Sequence, residues 1–424
     1  MLFSPPKRFS RFFKSSKFLS IGKIFGGNAF AILCGFGSSV VLARWIGPSQ
    51  QGVMAVLLTY PLLVQQVTEL GIRQVAAMSI GQKDQVPGVI TVTVIYLWCL
   101  TGLMGAAIVF GSLFLFPPQG SFWGDHLLAA LLLPTLCAQS YAGGVFIGSK
   151  RIGSFTGTRW IPSFAQFLFF LVSWWLIPPH VTWALFARFF ALGLSSVVFY
   201  FLILRAVPKP WGRPDFQIAK TLVLKGFEYG LSMGLSLLQY RLGILTLEWW
   251  SSPQEIGFFS IAQQNAEILF QIPQAFGIVV LMDSLSSFDS VLSTKKAMKS
   301  IRQVIWLSAG LALVTMIIGP KLILLVYGAP YAETVPCFLA FLPGVVAIMA
   351  FKIGRFDLVG QGRPWVGTPF VLLGLGVNVL LAYWLVPLKG ALGAGIATSV
   401  GYTVVGFGFF WIYKKIHLKA INSI

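Results

Sequence analysis

The stretch LSMGLSLLQYRLGILTLEWW, residues 231–250, is mostly apolar yet carries a full positive charge, Arg241, near its middle. In a soluble fold the arginine would sit oddly on such a segment. In a bilayer the same segment is long enough to span, and an ionisable residue within it is a functional candidate by default. What surrounds the segment decides between these settings. Of the 424 residues, 56% are hydrophobic and only 10% are charged, and the mean hydropathy is +0.81. Soluble domains carry about 25% charged residues, and a soluble core cannot hide this much apolar surface. The chain therefore reads as a polytopic membrane protein.

Twelve segments have the length and apolar character needed to cross a bilayer. They lie near 21–43, 53–79, 88–116, 127–148, 155–177, 181–204, 219–247, 255–282, 303–327, 333–354, 365–386 and 391–413. The alternating ten-residue strands of an outer-membrane barrel are absent. Loop charges test this count, because Lys and Arg collect on the cytoplasmic side. Of the 31 basic residues, 26 fall in the N-terminal arm, the even-numbered connections or the C-terminal tail. Arg44, Lys321 and Lys389 fall in odd-numbered connections, and Arg188 and Arg241 lie inside spans. This asymmetry predicts an even number of spans with both termini cytoplasmic. The net charge of +19 is thus spread over short collars suited to anionic lipid headgroups, not gathered into a nucleic-acid-binding stripe. Cys34, Cys99, Cys137 and Cys337 have neither metal-ligand nor disulfide-framework spacing and read as small apolar fillers.

A short repeat runs through the chain. Pro48 and Gly52 form a P-x-x-x-G pattern that recurs 205 residues later at Pro253 and Gly257. GSKR at 148–151 recurs as GQGR at 360–363. Two six-span halves of one orientation, related by an axis along the membrane normal, explain both. The expected organisation is a cytoplasmic basic arm (1–20), an N-terminal six-helix lobe (21–204), a cytoplasmic linker (205–218), a C-terminal six-helix lobe (219–413) and a cytoplasmic tail (414–424).

Polar residues at membrane depth are the site candidates, because a charge there costs about 2.5–3.5 kcal/mol even on insertion scales. Arg241 either lines a wet cavity or pairs with a buried carboxylate to fix packing. Gln263, Glu267, Gln271 and Gln274 follow one another at spacings of four, four and three, with Ser260 extending the row and Gln264 beside it. That periodicity puts them on one helical face, lining a cavity or forming a hydrogen-bonded seam. Glu69 and Arg73 are spaced for an i,i+4 pair and, with Glu228, are candidates for gating or coupling. Arg188 is a second intramembrane cation. No H-E-x-x-H pattern, nucleophile elbow or Walker loop is present, so neither an enzyme nor an ATPase is expected, and no cofactor or metal.

The segment VLARWIGPSQQGVMAVLLTYPLLVQQVTELGIRQVAA (41–77) resembles the opening of polysaccharide flippases. These belong to the multidrug, oligosaccharidyl-lipid and polysaccharide exporter superfamily. The family's L-A-R-x-L-G-P run, later glycine and D-L-G appear here as Leu42, Ala43, Arg44, Ile46, Gly47, Pro48, Gly52 and Glu69-Leu70-Gly71, with glutamate replacing aspartate. Residues 230–269 resemble the start of that family's second half, with Arg241, Pro253 and Gly257 in place. Gln274 stands opposite Glu69 in the half-repeat, so the acid is not duplicated. The resemblance implies an all-α bundle of two six-helix lobes around a central cavity. It also implies alternating access that carries a polyprenyl-pyrophosphate-linked oligosaccharide from the cytoplasmic to the outer leaflet, for cell-surface polysaccharide or lipopolysaccharide biosynthesis in the inner (plasma) membrane. In that role Arg241 and Arg188 would hold the pyrophosphate and the amides would meet sugar hydroxyls. Partners would be the lipid-linked cargo, membrane lipids and the polymerase or glycosyltransferase machinery. Two alternatives stay open: a cation- or proton-coupled small-molecule or multidrug antiporter of the same superfamily, in which Glu69 and Glu267 would matter most, and a flippase for another lipid-linked precursor.

Overall fold

The computed structural model describes residues 16–82, 87–207, 211–273, 276–277, 280, 290–361, 363 and 365–422. Those residues are overwhelmingly helical, with no strand among them. The helices are α1 (Ser16–Glu69), α2 (Ile72–Gln82), α3 (Pro87–Leu115), α4 (Trp123–Gly148), α5 (Ile152–Leu176), α6 (Val181–Ala206), α7 (Phe216–Trp250), α8 (Pro253–Glu267), α9 (Ser290–Tyr327), α10 (Thr334–Gly360) and α11 (Thr368–Asn422). A 3-10 turn, Ile268–Phe270, continues α8, and a second, Ala329–Tyr331, follows α9.

Seven helices among the described residues are long and apolar enough to cross a bilayer. Two of these spans, Gly26–Glu69 and Thr368–Ile416, contain 44 and 49 residues. At 1.5 Å per residue they measure about 65–75 Å, twice the ~30 Å hydrocarbon core, so each must cross twice. The break that allows this is a single glycine in each: Gly47 with φ 75° and Gly390 with φ 51°. Backbone in this left-handed region carries no Cβ penalty at glycine. The predicted spans at 155–177 and 219–247 correspond to α5 and α7, which are too polar or aromatic to pass on hydropathy alone, while 255–282 begins with α8, whose 15 residues are too few to cross by themselves. The chain is thus an all-helical, multi-pass membrane protein.

Two sequence-based boundaries move. The predicted span 53–79 is interrupted after Glu69, where Leu70 (φ 46°) and Gly71 (φ 67°) turn left-handed before α2 begins. The predicted span 333–354 runs on to Gly360 as α10, which holds within one helix both Arg355 and Lys352, a residue at the end of that span that the charge count assigns to the following connection.

The chain divides into two compact units. The first comprises Met1–Leu42, Thr68–Gly111 and Leu127–Phe227; the second comprises Ala43–Val67, Ser112–His126 and Glu228–Ile424. In the first unit Asp215 begins α7, its Oδ1 accepting from the amides of Gln217 (2.7 Å) and Ile218 (3.0 Å), which satisfies donors left over at a helix start. Asp215 N–H in turn donates to Thr93 Oγ1 on α3 at 3.0 Å.

In the second unit the two P-x-x-x-G motifs meet each other. A Cβ on Gly52 would fall onto the Pro253 carbonyl, and one on Gly257 would fall onto the Pro48 carbonyl. The contact is reciprocal, as expected of equivalent segments packed around a pseudo-twofold axis, and glycine is required because backbone touches backbone. Beside this seam Arg44 donates from Nε to the Val326 carbonyl (2.6 Å) and from Nη2 to the Leu325 carbonyl (2.8 Å). These carbonyls end α9, where helices leave acceptors unfilled and favour a cation. Tyr331 Oη donates to the Ala43 carbonyl at 3.0 Å.

Candidate functional site

Within the second unit, α7, α8 with its 3-10 extension, and α10 enclose a cavity of about 370 Å³. From α7 come Leu237, Tyr240 and Arg241, which share a face because i, i+3 and i+4 lie together on a helix. Gln264, Glu267 and Gln271 supply the amide and carboxylate side, and Lys352 of α10 supplies a second cation. The Lys352 ammonium lies 3.7 Å from the Phe270 ring centroid and 4.3 Å from that of Tyr240. An ammonium over two aromatic faces is held electrostatically while keeping its N–H donors free.

Arg241 is half-buried, and its Nε is buried without a hydrogen-bond partner among the described residues. Neither Arg241 nor Lys352 makes an ion pair among the described residues, although Glu267 lines the same cavity. Glu267 is engaged elsewhere: its Oε1 accepts from Gln263 Nε2 at 2.7 Å. The cavity therefore presents two cationic groups and one carboxylate already committed to an amide.

The predicted site residues separate into groups. Arg241, Glu267 and Gln271 come together in the cavity. Gln263 does not: it is buried, its amide donating to the Tyr240 carbonyl and to Glu267, and its neighbour Gln264 takes the exposed place. Gln274 lies outside the described residues, as does the side chain of Glu228. Arg188 stands half-buried on α6 in the first unit. Glu69 and Arg73 are also in the first unit and approach to 4.0 Å. Glu69 is buried and accepts from Ser140 Oγ of α4 at 2.7 Å, so it is anchored in packing as well as placed near a cation.

Sequence reasoning assigned Lys352 to a cytoplasmic collar and so missed it as a cavity residue. A signal was present: Gly360, Gly362 and Pro364 are the stop signals of that helix, and they come after Lys352 and Arg355, not before. Arg355 is not exposed in a loop either. Its Nη1 donates to Ser236 Oγ (2.8 Å) and its Nη2 to Ser232 Oγ (3.3 Å), tying α10 to α7 next to the cavity. Asp357, fully buried, accepts from Tyr413 Oη (2.5 Å) and Gln361 Nε2 (2.8 Å) and ties α10 to α11. Lys352 is thus carried on a helix braced on both sides.

The lipid II flippase MurJ in an inward closed conformation superimposes with a TM-score of 0.68 at 13% identity, covering 94% of this chain and 90% of that one. An inward-facing multidrug resistance MATE family transporter gives 0.67 at 14% identity, covering 92% and 96%. A transporter from Pyrococcus furiosus, described as having a binding pocket of reverse polarity, gives 0.62 at 13% identity, covering 95% of both chains. This chain has the fold of the MOP-superfamily transporters. These structural neighbours are transporters, not enzymes. No family model matches the sequence. An uncharacterized membrane protein of Methanocaldococcus jannaschii is 20% identical over a match covering 70% of this chain and 62% of its own length, less than two thirds of the archaeal protein.

Proposed function

We propose that this MOP-fold transporter moves a polyprenyl-pyrophosphate-linked oligosaccharide from the cytoplasmic to the outer leaflet of the plasma (inner) membrane by alternating access, supplying cell-surface polysaccharide synthesis. The observation that carries the reading is the pair Arg241 and Lys352, two cations facing one cavity without an ion-pair partner among the described residues. A pyrophosphate is a polyanion. The arginine offers it a rigid fork of donors and the lysine a mobile point charge. Gln264 and Gln271 add amides suited to sugar hydroxyls. The polyprenyl tail stays in lipid, so only the polar head needs a protein path. No bond is made or broken. Both termini are cytoplasmic in this reading, as the loop charges suggest, and the polymerase or glycosyltransferase machinery is the expected partner.

A second reading, a cation- or proton-coupled antiporter, draws on Glu267 in the cavity and on the MATE transporter of nearly equal structural similarity. A cavity with two uncompensated cations disfavours cationic drugs. Mass spectrometry of lipids from cells lacking the protein, with a side-resolved probe, separates the two. The flippase reading expects one polyprenyl-pyrophosphate glycan to accumulate on the cytoplasmic face. An unchanged lipid pool, in cells without a redundant transporter, favours the antiporter.

A further inference from the structure

Glu248 lies two residues before the end of α7 and is not part of the cargo cavity. Its carboxyl oxygens stand 3.5 and 3.4 Å from Tyr60 Oη of α1. Around it is a small enclosure of about 10 Å³, room for about one water. Its other walls are Val53 and Val56 of α1, Pro118 and Gln119 of the loop before α4, and Ser251, Pro253 and Ile256 at the α7–α8 turn. Among the described residues, Tyr60 is the only titratable group against the carboxyl or in the walls of the enclosure. Among the described residues Glu248 makes no ion pair. Pro253 also belongs to the seam in which Pro48–Gly52 meets Pro253–Gly257, and Val53 directly follows Gly52. The acid therefore sits inside a contact between chain segments at the end of the bundle that loop charges assign to the outer face.

We propose that Glu248 is a proton-binding site that couples this seam to the proton concentration of the outer solution. A charged carboxylate half-buried among mostly apolar walls, with one phenol and no cation beside it among the described residues, is stranded when the seam closes. The neutral acid is not: it donates its new O–H to Tyr60 Oη or to a trapped water. Closure therefore takes up one proton from solution to form one O–H bond, and opening hydrates the carboxylate and returns the proton. By linkage, whatever favours the closed seam favours the protonated acid, and the reverse holds equally. This goes beyond the transport reading, because it concerns how the cycle is driven and not what is carried.

The test uses the full chain in lipid nanodiscs. The exposed Cys99 is replaced by serine, and spin labels are placed at the exposed Ser49 and Gln254, on the two sides of the seam. Double electron–electron resonance should show a short distance in acidic buffer and a growing longer population in alkaline buffer. Glu248→Gln, a neutral isostere, should hold the short distance in both buffers, and Glu248→Asp should keep the response. Infrared difference spectroscopy on the unlabelled protein should show a protonated-carboxyl band in acid that Glu248→Gln removes. A Glu248→Gln distance that still follows pH, a parent distance that ignores pH, or the absence of any Glu248-dependent carboxyl band would overturn the proposal. None of these readouts involves cargo, so their failure is distinct from failure of the flippase reading.

Discussion

Arg241 stands nine residues before the end of α7, on the face that lines a polar cavity. A charge at membrane depth is tolerated where it faces a wet or liganded space, and the buried Nε, without a partner among the described residues, leaves a donor for what enters. Charge-assisted hydrogen bonds contribute about 1.5–3 kcal/mol each, or about 10- to 100-fold in affinity. Lys352→Gln is therefore expected to weaken binding of undecaprenyl pyrophosphate by about tenfold, measured by native mass spectrometry in nanodiscs, with membrane abundance unchanged. Glu267→Gln should move the other way, because it removes the one carboxylate that repels an anion from the same wall. Tighter binding after Lys352→Gln, or weaker binding after Glu267→Gln, would contradict an anionic cargo. Arg241→Lys is expected to retain only part of the affinity, since it keeps the charge and loses the fork.

At the scale of elements, the repeated P-x-x-x-G motif turns out to be an interface as well as a trace of duplication, since its two copies touch. Overpacking of a tight contact costs typically about 1–3 kcal/mol. Gly257→Val is thus expected to destabilise the protein by about that amount, read as a lower midpoint in thermal unfolding followed by tryptophan fluorescence. Gly310→Val, at a glycine with open space around it, should change it far less. Equal shifts would mean that the seam is not tightly packed. Most span positions and the polar row of α8 were legible because they follow from hydropathy and periodicity, whereas the left-handed break at Leu70 and Gly71 was not, because hydropathy runs through it unchanged. Which of Gln263 and Gln264 faces the cavity was not, because adjacent positions are separated by only about 100° on a helix. The Tyr240 carbonyl, a tertiary partner, decides which of the two is buried. Lys352 was missed for a similar reason: hydropathy ends a span where charge begins, whereas the backbone continues to its glycine. Glu248 gave no local signal, since its meaning depends on Tyr60, 188 positions away in sequence.

For the molecule as a whole, composition and loop charge were sufficient to exclude a soluble fold, and the superposition on MurJ and MATE transporters shows which fold it is. Low identity to either leaves the proposed cargo to be argued from the cavity, where two cations, Arg241 and Lys352, stand with one carboxylate, Glu267. The most direct measurement is translocation itself. Purified protein is reconstituted into liposomes containing a fluorescent polyprenyl-pyrophosphate oligosaccharide, and a membrane-impermeant quencher follows how much lipid has changed leaflet. Wild-type protein is expected to equilibrate the lipid between leaflets, with the rate strongly reduced in Arg241→Ala reconstituted at equal amount. A wild-type protein that leaves the labelled lipid where it was inserted, or an Arg241→Ala variant that moves it at the wild-type rate, would contradict the account.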